Sequence, residues 1–213
     1  ENMFFKLNAD NSFVGVLIDA GNDVLVIYNG IDFVYLSLYH IQSFRVMTNA
    51  ESAIEKPDSD PVIQDELSSI SLRKILTAAK GIYAEVYVTG KYPVHGFITS
   101  IMNDYFVFHS PVYKTIYISM KHLKWIIPYR SNETPYALLK QQFPVSEMNQ
   151  TLARTLEEQL KKSLGQVIIF NFGEQAEKIG KLVKVENSQI EIVKARSGRS
   201  YLNMNHVQTI HFP

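Results

Sequence analysis

The feature that most constrains this 213-residue chain is a ten-residue box that occurs three times. It reads YLSLYHIQSF from Tyr35 to Phe44, YISMKHLKWI from Tyr117 to Ile126, and YLNMNHVQTI from Tyr201 to Ile210. The shared pattern is Tyr, aliphatic, Ser/Asn, Leu/Met, any residue, His, aliphatic, Gln/Lys, any residue, Phe/Ile. Apolar residues alternate on both sides of the His, so each box predicts a strand, a short turn at the His, and a second strand. A repeat at this scale must be recognised first, because it decides how the rest of the chain is divided.

The match extends upstream. Gly15, Gly96 and Gly180 precede the box Tyr by 20, 21 and 21 positions, and each opens a strand-like run. Those runs align without a gap and place Asn22-Asp23, Asn103-Asp104 and Asn187-Ser188 at the same offset. Such pairs form turns, because Asn and Asp tolerate the left-handed region and bond their own backbone. Gly81 and Gly165 each stand 15 positions before the next landmark Gly, behind helical stretches around Glu66–Lys80 and Thr151–Leu164. Glycine just past a helix is a favoured terminator.

The landmarks predict three units, over residues 1–50, 66–130 and 151–213. Each reads as a helix followed by five short strands, the first unit lacking the helix and opening at Met3–Leu7. A twisted five-stranded sheet curls up to hide its edges. The segments 51–65 and 131–150 read as linkers from their Pro, polar and acidic content. With 12 Tyr, 12 Phe and 46% apolar residues, the composition favours strands and supplies enough apolar material for cores.

Charge and composition narrow the chemistry. There is no Cys, so disulfides, thiolate metal sites and a Cys nucleophile are excluded. The net charge is zero, yet residues 71–130 hold eight Lys/Arg against only Glu85 and Asp104, while residues 51–70 hold one Lys against six carboxylates. The middle unit thus offers a basic face, with Arg73, Lys91, Lys121 and Lys124 as candidate anion contacts. No apolar run approaches the roughly 18 residues needed to cross a bilayer. Glycine-rich phosphate loops, a nucleophile elbow, zinc-protease and EF-hand patterns are all absent. The chain reads as a non-enzyme without cofactor or metal. His40, His122 and His206 supply one His per unit, where a zinc site needs three or four ligands, so each is expected to fill its turn and bond nearby backbone. The other histidines, His95, His109 and His211, have no ligand spacing. Tyr35, Tyr117 and Tyr201 are expected in the barrel wall facing the core, and Trp125 in core packing or at an interface between protomers.

The order of helix, five strands and a closing pair bridged by a His turn resembles the Sm-like fold. TAAKGIYAEVYVTGKYPVHGFITSIMNDYFVF looks like the helix and first three strands of the bacterial RNA chaperone Hfq, and MKHLKWIIP resembles its Lys-His segment. That resemblance implies a mainly β chain of three tandem five-stranded Sm-like or SH3-like barrels, with Lys121 and His122 as RNA contacts. Units one and three keep the His and replace the Lys by Tyr39 and Asn205. The boxes are also similar to those of a domain of unknown function found in spore-coat-associated proteins of spore-forming Gram-positive bacteria. This implies a structural or assembly role after cytoplasmic synthesis, with incorporation in a spore coat. Its partners would be proteins or further copies of itself. RNA or anion binding by unit two is the alternative, and no membrane is expected.

Overall fold

A computed structural model describes residues 1–7, 11–48, 54–63, 70–130, 133–138 and 151–213. The first group of strands is β1 (Asn2–Leu7), β2 (Ser12–Ala20), β3 (Val24–Tyr28), β4 (Phe33–Ser37) and β5 (Ile41–Val46). Helix α1 (Leu72–Ala78) leads the second, β6 (Tyr83–Tyr87), β7 (Val94–Ile101), β8 (Tyr105–Ser110), β9 (Lys114–Ser119) and β10 (Trp125–Pro128). Helix α2 (Leu156–Lys161) leads the third, β11 (Val167–Phe170), β12 (Ile179–Glu186), β13 (Gln189–Val193), β14 (Arg199–Asn203) and β15 (Thr209–His211). In each group the box forms the fourth strand, a single 3-10 turn ending on the His, and the fifth strand.

All pairings between these strands are antiparallel, and they join into one sheet of fifteen strands. Within every group the spatial order is fourth, third, second, first, fifth. Three separately closed barrels were expected, and the sheet is instead continuous and unclosed. The fourth strand does not return to the fifth strand of its own group. β4 pairs with β10, and β9 pairs with β15, so the first and second groups satisfy their fourth-strand edges on the next one. An unpaired edge is a liability wherever it lies, and pairing it with a neighbour removes it as effectively as closure does.

The landmark glycines bend the second strand of each group. A Cβ at Gly96 would lie 1.9 Å from the His109 carbonyl oxygen, and at Gly15 and Gly180 the carbonyls of Tyr28 and Val193 lie at 2.6 Å. Two residues further on, the register slips in all three strands, between Leu17 and Asp19, Ile98 and Ser100, and Leu182 and Lys184. A bulge behind a bare backbone contact curves a strand sharply and lets it wrap a core.

The helices are shorter than the sequence predicts. Ser71 and Thr155, both in extended backbone, accept from the Lys74 and Glu158 amides at 3.4 and 3.3 Å. These N-caps set the starts at Leu72 and Leu156, inside the expected spans. Of the expected first helix, residues 66–69 lie outside the described residues. Gly81 and Gly165 follow with φ of +78° and +88°, a left-handed conformation that suits glycine. Of the expected linkers 51–65 and 131–150, residues 54–63 and 133–138 are described and the rest lie outside the described residues.

Each helix packs on two groups at once. One core cluster unites Val24, Val26, Phe33 and Tyr35 of the first group with Leu72, Ile75 and Leu76 of α1 and the interior of the second. Another unites Tyr105, Val107 and Tyr117 of the second group with Leu156 and Leu160 of α2 and the interior of the third. The strands β4 and β8 are buried on both faces, which is why their sequences run apolar without alternation.

Two substitutions check this architecture. Ile126 is fully buried opposite Tyr35 and Val86, so Ile126→Ala is expected to lower stability by about 2–5 kcal/mol in urea denaturation. Gly96→Val forces a side chain against backbone and should cost about 1–3 kcal/mol or more, whereas Gly81→Asn should be nearly neutral.

Candidate functional site

The residues singled out by the sequence converge on the two joints between groups, which are built alike. At the first joint Trp125 lies opposite Leu36 and Ile126 opposite Tyr35. At the second, Thr209 lies opposite Ile118 and Ile210 opposite Tyr117, the same positions of the box. The Ser37 amide donates to the Lys124 carbonyl at 2.9 Å and the Ser119 amide to the Gln208 carbonyl at 3.0 Å, again equivalent residues.

The box histidines link the turns in a row. His40 Nε2 donates to the Lys121 carbonyl at 3.0 Å, and His122 Nε2 donates to the Asn205 carbonyl at 2.9 Å. Each ring therefore bonds the residue that precedes the next box His. Backbone bonding was expected, and the bonded backbone belongs to the neighbouring group. Donation from Nε2 leaves Nδ1 as the acceptor nitrogen of a neutral ring. Burial holds the pKa of both rings below the ordinary value of 6.5, against the opposing pull of these carbonyls.

The Asn-Asp turns form the other end of each joint. The Asp23 carboxylate accepts from the Leu72 amide at 2.7 Å, and the Asp104 carboxylate accepts from the Leu156 amide at 2.9 Å. Beside them the Asn22 and Asn103 amides donate to the Ile70 and Arg154 carbonyls. Each turn thus satisfies and charge-stabilises the first free N–H of the helix leading the next group. Only Asn187 and Ser188 adopt the left-handed hairpin conformation expected of all three pairs, at φ of +50° and +59°. The sequence held one signal of this difference: Ser188 replaces Asp in the group after which no box follows.

The candidate anion contacts do not form one cluster. Lys121 stands exposed and His122 half-buried on the turn row, with Lys121 Nζ 3.5 Å from Asn205 Oδ1. Lys124 is buried, its ammonium 4.7 Å from the centre of the Tyr87 ring, and burial lowers its pKa. Arg73 donates to the carbonyls of Met102 and Asn103, bracing the turn between β7 and β8. Lys91 lies over Tyr92 at 5.4 Å. Trp125 stacks on Tyr87 at 4.1 Å, meets Phe13 edge-on and donates to Glu85 at 2.9 Å, so it packs across the first joint.

The box tyrosines separate sharply. Tyr35 and Tyr117 are buried, and the Tyr35 hydroxyl exchanges bonds with the Ile63 backbone while burial pushes its pKa up to about 12. Tyr201, expected in the wall, is 65% exposed. Beside it, Gln189, Glu191 and Arg199 occupy the places of Val24, Val26 and Phe33, and Arg199 pairs with Glu191. The face that receives a helix in the first two groups is polar in the third. Among the described residues no group of three or more His, Cys, Asp or Glu is placed to hold a metal, and no helix is long and apolar enough to cross a membrane.

Two measurements probe the joints. Asp104→Ala removes a helix-terminal acceptor and should cost about 1 kcal/mol, while Ser188→Ala, at the equivalent free turn, should cost nothing measurable. The second is pH dependence. His40, His109, His122 and His211 all have pKa values lowered by burial, and the His109 ring nitrogens have no partner among the described residues. The unfolded chain takes up protons first as pH falls through about 6.5, so stability should be level above that value and decline below it. His109→Phe should flatten part of that decline in urea titrations at a series of pH values.

Comparison with known proteins places this arrangement. A family model described as the YwrJ third domain matches residues 155–210, which span α2 and the five strands that follow it. Over 210 residues the chain is 41% identical to the uncharacterized protein YwrJ of Bacillus subtilis (strain 168), covering 97% of this chain and 93% of that relative. The shared length runs through both joints and all three boxes, and the chain belongs to the YwrJ family.

Proposed function

We propose that the chain is a non-enzymatic structural or assembly protein made of three Sm-like β units, over residues 1–50, 66–130 and 151–213. It acts in the spore coat or a similar layer. The observation that carries this reading is the use of the sheet edges. The box of each of the first two units, with its Tyr, Ser and His, is spent on strand pairing with the next unit. One hollow among the described residues is an open surface lined by Asp32, Asp58, Asp60 and Arg130. Strand addition at an edge gives affinity through main-chain bonds and suits a protein that assembles. A relative in Bacillus subtilis, a spore-forming bacterium, agrees with a spore-layer setting.

The alternative, RNA or anion binding by unit two, is favoured by the exposed Lys121 beside the half-buried His122 on the turn row. Against it, Arg73 and Lys124 already have partners that a phosphate would have to displace. Fluorescence anisotropy with single-stranded RNA at about 50 and 200 mM salt separates the readings, because phosphate contacts make affinity fall steeply with salt. The expected result is no saturable binding at either salt. Binding that weakens steeply between the two, and is lost in Lys121→Ala, would replace the assembly reading by the RNA one. A tagged copy made in a sporulating host should be recovered in the coat fraction of purified spores, and recovery only from the cytosol removes the coat setting.

A further inference from the structure

Each internal joint has two halves, and one unmatched half lies at each end of the sheet. Among the described residues β5 pairs only with β1, and β14 only with β13, so the outer edges of both strands are open there. The residues that a joint would bury are exposed there. Phe44, at the box position of the buried Ile126 and Ile210, is 64% exposed, and Tyr201, at the position of the buried Tyr35 and Tyr117, is 65% exposed. The histidine row is open in the same sense. The His206 ring makes no hydrogen bond among the described residues, and Tyr39, whose place in the row is that of Lys121 and Asn205, is exposed.

We infer that the two ends are complementary and that β14 of one copy pairs antiparallel with β5 of a second copy, head to tail. Extending the register of the internal joints places Tyr201 opposite Phe44 and Leu202 opposite Ser43. The Asn203 amide then donates to the Gln42 carbonyl, as Ser37 and Ser119 do to Lys124 and Gln208. His206 Nε2 donates to the Tyr39 carbonyl and completes the row. The inference rests on the assembly reading and specifies its partner as a second copy. The occupant follows from continuity: the chain has already solved this contact twice with its own strands, and each end carries the half that the other lacks.

This joint is leaner than the internal ones. Ser188 offers no carboxylate to a helix N-terminus, and the Gln189, Glu191 and Arg199 face is polar, so it requires no helix to cover it. Strand pairing and the His bond remain, which makes the contact dependent on concentration. Because it joins unlike surfaces, it closes into a ring or continues as a filament according to the rotation at each joint.

The chain has no cysteine, so engineered ones report cleanly. Leu36 and Trp125 form the pair without mutual main-chain bonds, and Leu202 and Ser43 are their counterparts, with Cβ atoms close enough for a disulfide. Ser43→Cys and Leu202→Cys are purified separately, mixed and oxidised. The expected product is a covalent pair in the mixture and none from either variant alone. Sedimentation velocity of the unmodified chain should show species at multiples of 24.4 kDa that Phe44→Lys returns to monomer with its circular dichroism unchanged. A mass of 24.4 kDa at every concentration with no cross-link in the mixture overturns the inference. So does cross-linking of Ser43→Cys with itself, which would mean like edges meet. Either failure leaves the assembly reading standing, since that reading falls to salt-dependent RNA binding.

Discussion

The structure depends on the pairing of a fourth strand with the fifth strand of the following group. A curled five-stranded sheet in the order seen here leaves two edges bare, one on each side of a small core. Pairing them between groups satisfies the backbone polar groups that water would otherwise have to reach. It also brings the outer face of β3 and β4 against the next helix. The residues there, Val24, Val26, Phe33 and Tyr35, are apolar because they belong to the core of the following group as much as to their own.

Cooperativity follows from that sharing. Each group alone is near the lower size limit for a domain that must bury enough surface to fold. Fusing the sheets and sharing the helices gives the interior of a larger protein without lengthening any strand. The stability of such a linear arrangement is the sum of intrinsic terms and nearest-neighbour joints. The joints here combine strand pairing, a His bond, a carboxylate at a helix N-terminus and, at the first, the stack of Phe13, Trp125 and Tyr87. Loss of one group is therefore felt in its neighbour.

Much of this is legible in the sequence, since the landmarks that encode it are local. The box shows strand, turn and strand because alternation and a turn residue suffice to predict them, and Gly15, Gly96 and Gly180 mark bends because only a missing Cβ permits the approach of a carbonyl. The single continuous sheet is not marked by any local pattern, because strand pairing between groups joins residues some ninety positions apart. The roles of Asp23 and Asp104 were hidden for a related reason. An Asn-Asp turn predicts its own backbone well, and says nothing of a helix some fifty residues downstream. Tyr201 was misjudged as a wall residue because its box matches the others, although the polar Gln189, Glu191 and Arg199 around it carried the contrary signal.

The polar face of the third group is unsuited to a further helix-bearing unit. A further helix-bearing unit arriving there would press leucines onto a Glu191–Arg199 ion pair and would lose the packing that Val24 or Tyr105 provides elsewhere. Gene duplication of the middle segment would insert a compatible link, since its incoming helix and outgoing face match both neighbours. Duplication of the last segment would instead set an apolar helix on a polar face. Gln189, Glu191 and Arg199 thus make this face a poor seat for the apolar helix that the equivalent faces of the first two groups receive.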